Sequence, residues 1–186
     1  PFEVLSIDIT GPHPRSKDGN EYILTAVDIF SKWAEAMPIR SHTAVIVAKK
    51  LVDQIFSKFG VPLRILSDQG PEFESALMAE LCRVHGIEKI RTSSYKPSTN
   101  GTCERFHRTL NSMVGKTVSE SQRDWDRHVS QVMAAYRATV HKSTGYSPNF
   151  LIFGRETRAP IDLVLAVGND EPEGVGASTD EYVQEM

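Results

Sequence analysis

The sequence predicts an α/β domain built on a five-stranded mixed sheet, an antiparallel three-strand meander plus two parallel strands, flanked by helices. Two observations predict it. Short strand-like runs open the chain and helix-spaced apolar runs separate the later strands, giving the order strand, strand, strand, helix, strand, helix, strand, helices. The first helix supplies a crossover, normally right-handed, that lays the fourth strand parallel beside the first.

Leu5, Ile7 and Ile9 alternate with Val4, Ser6, Asp8 and Thr10, a period-two strand ended by Gly11-Pro12. Asp18-Gly19 marks a turn. Tyr22 to Asp28 and Trp33 to Met37 complete the meander, which Pro38 stops. Ala44, Ala48, Leu51, Val52, Ile55, Phe56 and Phe59 repeat at helical spacing, with Thr43 as N-cap and Gly60-Val61-Pro62 as the stop. Leu63 to Ser67 is a short apolar strand. A helix from Ser75 to His85 ends at Gly86, and a brief strand covers Ile87 to Arg91. Thr92 to Gly101 reads as a polar loop, followed by helices over Thr102 to Val118, Arg123 to Val140 and Ser147 to Phe153. In the second of these, Trp125, Val129, Val132, Met133 and Tyr136 form the buried stripe, so Trp125, like Trp33, is read as core and not as a base-stacking platform.

At 186 residues the chain suffices for one sizeable core and is short for two. Its 40% hydrophobic and 24% charged content excludes collagen-like and wholly disordered classes. No apolar run approaches the ~20 residues that span a bilayer, so no membrane partner is expected. Two cysteines, Cys82 and Cys103, do not make a secreted disulfide framework, and a reducing compartment is expected. The opening Pro1-Phe2-Glu3 lacks a methionine and has the look of a segment of a longer protein, so missing targeting signals carry little weight.

The net charge of -3 conceals an asymmetry. From Asp162 onward there are seven acids and no Lys or Arg, which leaves 21 basic and 17 acidic residues, a net of +4, in positions 1–161. Residues 1–165 are read as one folded domain and 166–186 as an acidic, flexible tail or linker. A mildly basic domain permits a nucleic-acid partner without establishing one.

Asp8 interrupts an otherwise apolar strand, Asp68 directly follows another, and Glu104 opens a helix. On that helix Glu104, His107, Arg108 and Asn111 share the polar face, while Phe106, Leu110, Met113 and Val114 face the sheet. Each acid has an ordinary reading: a solvent-facing strand residue, a turn, a complement to a helix N-terminus. Together they form a set of hard oxygen donors suited to Mg²⁺ or Mn²⁺. Two such ions stabilise the attacking and leaving oxygens of an in-line displacement at phosphorus. Glu72, four residues past Asp68, and Asp28 are competing carboxylates that fit less well. Cys82-x2-His85 with Cys103-x3-His107 imitates a zinc site but has the wrong placement for one.

Three segments decide between these readings. Val4-Leu5-Ser6-Ile7-Asp8-Ile9-Thr10-Gly11-Pro12, Ser67-Asp68-Gln69-Gly70-Pro71-Glu72-Phe73 and Tyr95-Lys96-Pro97-Ser98-Thr99-Asn100-Gly101-Thr102-Cys103-Glu104-Arg105 resemble the signatures of retroviral and retrotransposon integrase catalytic cores, with 35 residues between Asp68 and Glu104 as in that family. Thr144-Gly145-Tyr146-Ser147-Pro148-Asn149-Phe150 and Phe153-Gly154-Arg155 resemble the closing segment of the gypsy-type long-terminal-repeat retrotransposon members. The likeness runs from Pro1 to Leu165.

It implies a ribonuclease-H-like fold, with Asp8, Asp68 and Glu104 as catalytic and metal-binding residues holding two Mg²⁺ (or Mn²⁺) ions. It also implies transfer of DNA strands without a covalent enzyme intermediate, on element ends and target DNA, by a homodimer or higher oligomer in the nucleus. Tyr95, Lys96, Asn100 and Gly101 match the segment that contacts donor DNA ends, and Arg108 and Asn111 match positions that touch DNA phosphates. A cation on that helix face suits a phosphate backbone, although Arg108 could instead pair with a neighbouring acid. Lys96, Ser98 and Thr102-Cys103 depart from the commonest gypsy pattern of His, Gln and Gln-Val, which bears on DNA preference and leaves the triad untouched. The zinc-binding N-terminal module and the C-terminal DNA-binding or chromatin-reading module of integrases are not recognised in this sequence. The competing readings are a host-domesticated integrase-like domain that binds DNA or protein with little catalysis, and a ribonuclease-H-type nuclease.

Overall fold

The structure, a computed structural model, describes residues 1–91, 97–116 and 122–158, and for 97–105 the backbone alone. The elements run β1 (Val4–Thr10), β2 (Tyr22–Asp28), β3 (Ala34–Ile39), α1 (Ala44–Leu51), a π-helical stretch (Val52–Phe56), α2 (Ser57–Phe59), β4 (Arg64–Ser67), α3 (Ala76–His85), β5 (Glu88–Arg91), α4 (Pro97–Gly115), α5 (Trp125–Arg137) and α6 (Pro148–Phe153). The sheet has the order β3-β2-β1-β4-β5, antiparallel from β3 to β1 and parallel from β1 to β5. This is the predicted mixed sheet, and the fold is ribonuclease-H-like.

Period two in the strands sends alternate residues to opposite faces. On one face Leu5, Ile7, Leu24, Ala26 and Met37 meet Val47, Leu51 and Ile55 of the first helical segment and Met78 and Cys82 of α3. On the other, Ile23, Val27 and Ala34 meet Phe106, Leu110 and Val114 of α4 and Trp125, Val129, Met133 and Tyr136 of α5. Both tryptophans are core, as expected. Arg137 fastens α5 to β3: Nε donates to the Ala34 carbonyl at 3.0 Å, Nη2 meets Glu35 at 2.8 Å, and the guanidinium stacks over Trp33 at 4.5 Å. Burial pushes its pKa below the ordinary value, against the pull of Glu35.

Several expected boundaries move. Pro38 lies inside β3, paired with Ile23, because β3 is a sheet edge where a missing N–H is tolerated. The helix expected to run unbroken to Phe59 contains one π-helical stretch. Helix α4 begins at Pro97, not Thr102: proline has no N–H to leave unsatisfied in a first turn and its φ is already helical. It ends at Gly115, before the expected Val118, which lies outside the described residues. Helix α5 is shorter than expected, closing in a turn from Tyr136 to Thr139. Thr43 stands at the N-cap of α1 as read but makes no side-chain cap bond. Ser75, read as the first residue of α3, is its N-cap and accepts from Met78 N at 3.2 Å, and Gly86 closes α3 at φ 67° as read. The proposed tail, residues 166–186, lies outside the described residues.

Candidate active site

Asp8 projects from β1 toward α4. Its strand partner across the antiparallel ladder is Thr25, so the two side chains share a face with Ile23 and Val27, the face α4 covers. Asp8 Oδ1 accepts from Ile9 N at 2.7 Å, and its side chain is 27% exposed.

Asp68 directly follows β4, the parallel neighbour of β1. Val4, Leu5 and Ser6 stand opposite Arg64, Ile65 and Leu66. Carried two residues past the last pair, the same offset sets Asp68 level with Asp8 where β4 ends. The exposed Asp68 carboxylate accepts from Gly70 N at 3.0 Å, which folds the loop back on itself. A Cβ at Gly70 would lie 3.0 Å from Glu72 Oε1 and 3.1 Å from Asp68 Oδ1, so a larger residue there must push one of these carboxylates aside by a few tenths of an ångström. Glu72 turns to His42 (3.5 Å), and Glu74 ties the loop to β5 through Lys89 (2.5 Å) and Arg91 (2.6 Å). The hydrogen bond from Lys89, then that from Arg91, holds the Glu74 carboxyl below its usual range.

Glu104 belongs to α4, within the part whose side chains are not described. Its helical position is one turn before His107, whose ring stands over Asp8: Nδ1 lies 3.5 Å from Asp8 Oδ2 and Nε2 lies 2.8 Å from Thr25 Oγ1. Sequence reasoning placed His107 on the polar face with Glu104 but missed this contact. Its only signal there was the three-residue spacing from Glu104, which gives no partner until the β1–β2 register is known.

Arg108 and Asn111 are exposed on α4. Tyr95 and Lys96 lie outside the described residues, and Asn100 and Gly101 lie in α4 with side chains not described. Asp28 is not near the site: it is buried in the β2–β3 turn, accepting from the Ser31 N–H and hydroxyl at 2.9 and 2.6 Å. Cys82 is buried in the core, where burial raises its thiol pKa, and His107 faces Asp8, so the two are parts of different regions. Among the described residues no three His, Cys, Asp or Glu side chains form a group able to hold a metal.

The pattern that defines the integrase core domain matches residues 1–97, a span that takes in Asp8 and Asp68 and just over half of the chain. The chain belongs to the integrase core domain family. Two Pol-type polyproteins are similar over most of the chain. A Retrovirus-related Pol polyprotein from transposon 412 of Drosophila melanogaster is 31% identical over 159 residues, 86% of this chain and 13% of that protein. The Gag-Pol polyprotein of a baboon endogenous virus is 38% identical over 149 residues, 80% of this chain and 8% of its own length. The chain thus spans a small part of these relatives. Among solved structures, the catalytic core domain of BIV integrase superposes with a TM-score of 0.63 at 25% identity, covering 81% of this chain and 93% of that one. The HTLV-2 integrase catalytic core domain, solved with magnesium, gives a TM-score of 0.63 at 20% identity, covering 80% and 94%, and supports the integrase core fold.

Proposed function

We propose that this integrase core is the catalytic domain of a gypsy-type long-terminal-repeat retrotransposon integrase. In this reading it performs Mg²⁺- or Mn²⁺-dependent 3′-end processing of element DNA and strand transfer into target DNA. The observation that carries the proposal is the β1–β4 register, Val4, Leu5 and Ser6 opposite Arg64, Ile65 and Leu66, which continued by two residues brings Asp68 level with Asp8 where β4 ends. Open α/β sheets gather their ligand sites at such strand ends.

The donor set fits a hard divalent cation. Two carboxylates on one sheet edge repel unless a cation or a proton intervenes, and oxygen donors suit Mg²⁺ while leaving positions for phosphate. Asp8, Asp68 and Glu104 are the residues that would hold it. Bound there, divalent cations activate the attacking oxygen and neutralise charge on the leaving one. The remaining work belongs to the chain. The Ile9 N–H orients Asp8, the Gly70 N–H orients Asp68, and Arg108 and Asn111 offer exposed phosphate contacts on α4. Tyr95, Lys96, Asn100 and Gly101 receive the donor end. Water, or a DNA 3′-hydroxyl, attacks the phosphodiester directly. Joining two ends in concert calls for a dimer or larger assembly, acting in the nucleus.

The test is a joining assay with labelled donor DNA and Mn²⁺. Wild-type protein is expected to yield joined products and Glu104→Gln none, at an unchanged melting temperature. Full activity of Glu104→Gln refutes the triad. DNA binding without joining by the wild type favours the domesticated reading, and cleavage of RNA–DNA hybrids without joining favours the nuclease.

A further inference from the structure

Helix α4 lies on the sheet through an apolar row, Phe106, Leu110 and Val114, yet the residue next to Phe106 turns a polar ring into the same interface. Beneath it are Thr25, fully buried, and Asp8, its ladder partner. Three polar side chains from three elements thus meet inside an otherwise apolar contact, where unmatched polar groups are costly.

Proton counting limits how they meet. The Thr25 hydroxyl has one hydrogen and two acceptors in reach, the Asp8 main-chain oxygen at 3.0 Å and His107 Nε2 at 2.8 Å. A neutral imidazole carries hydrogen on one nitrogen only, so the tautomer that turns Nδ1–H toward the Asp8 carboxylate makes Nε2 the acceptor of the shorter Thr25 bond. That bond seats the ring and sets its rotation about χ2. The opposite edge, with Nδ1, is left against Asp8 Oδ2 at 3.5 Å. Asp8 Oδ1 is already engaged by Ile9 N. The carboxylate is thereby bounded at both oxygens, one by its own strand and one by α4.

We infer that His107 is a positioning residue: seated on Thr25, it fixes the plane of the Asp8 carboxylate and so sets the affinity of the site for divalent cations. The inference rests on the reading of Asp8 as a cation ligand. Groups that orient a metal ligand from behind typically account for about 10–100-fold in metal affinity. A helix that carries Glu104 one turn earlier also gains, through this seat, a fixed height over Asp8. Thr25 and His107 hold that end of α4 to the sheet by a directional bond, whereas Phe106 holds it only by apolar contact.

The experiment is Mn²⁺ titration of the 186-residue chain, followed by calorimetry without DNA, with melting temperatures alongside. Asp8→Asn should abolish the strongest binding event. His107→Ala should weaken it about 10–100-fold. His107→Asn places an amide nitrogen where Nδ1 stood and should recover most of the affinity. His107→Gln keeps the bond to Thr25 and should not recover it. Thr25→Val should reproduce His107→Ala, and Thr25→Ser should match wild type. Unchanged Mn²⁺ affinity in a folded His107→Ala protein, or equal rescue by Asn and Gln, overturns the positioning role. If Asp8→Asn binds Mn²⁺ as wild type does, the reading of Asp8 as a ligand is what fails. Should His107→Ala not fold, the Asn, Gln and Thr25 variants carry the same decision.

Discussion

The two faces of the sheet are built from different stretches of chain. The face covered by α1 and α3 is made within residues 1–91, and its core cluster is apolar. The other face takes strands from the first forty residues and covers them with helices that begin at Pro97 and Trp125. That second interface contains the Asp8, Thr25 and His107 cluster. The difference teaches where a fold can tolerate a charged site: not in the locally built core, but under a cover anchored elsewhere. Phe106, Leu110, Val129 and Met133 supply that anchorage.

The sharpest way to break the comparison is to empty a large side chain on each face. Leu24→Ala and Phe106→Ala should each cost about 3–5 kcal/mol by denaturant unfolding. Only Phe106→Ala should also lower Mn²⁺ affinity in the protein that remains folded, because His107 is its neighbour. Equal effects on Mn²⁺ binding would erase the distinction.

Next in size is Arg137→Ala, which strips the Ala34 carbonyl, the partly buried Glu35 and the Trp33 ring of a shared partner. A loss of about 3 kcal/mol is expected. Arg137→Lys should recover only part of it, since an ammonium cannot supply the planar fork. Gly70→Ala sharpens the comparison from the loop side: displacing Asp68 or Glu72 by a few tenths of an ångström should lower joining activity about tenfold and leave the melting temperature nearly unchanged.

The smallest effect is in pH. Burial pushes His13 below its ordinary pKa of 6.5, and burial followed by the charge of Lys32 does the same to His141. The folded state therefore takes up fewer protons than the unfolded chain. Stability is full above pH 6.5 and declines as pH falls below it, toward the depressed folded values. Melting temperature should drop by a few degrees between pH 7 and 5. Replacing His13 with Gln should flatten part of that slope.

Most of the fold was legible because its elements carry strong local signals. Alternation in β1, the start of α1 after Thr43 and the glycine stop at Gly86 all appear in place. The departures arise where context outweighs local composition. Pro38 reads as a stop until β3 is known to be an edge. Ser98, Thr99 and Asn100 read as loop although they continue from a proline well suited to a first helical turn. The parallel pairing of β4 with β1 was anticipated from the crossover. The seat of His107 was not, since it depends on which β2 residue stands opposite Asp8, and nothing in either strand alone fixes that pairing.

The stitching between the β1–β2 connection and the start of α5 has a consequence for the order of assembly. Trp125 Nε1 donates to the Pro14 carbonyl at 2.7 Å, Ser16 and Asn20 both donate to Asp126, and Lys17 N donates to the Arg123 carbonyl. These bonds join residues more than a hundred positions apart. On the ribosome, at roughly 5–20 residues per second, one side of the sheet is complete several seconds before its counterpart has been synthesised. Throughout that interval Ile23, Val27 and Ala34 face water, and the nascent chain depends on its own speed of elongation, or on a chaperone, to keep that bare surface from sticking to another.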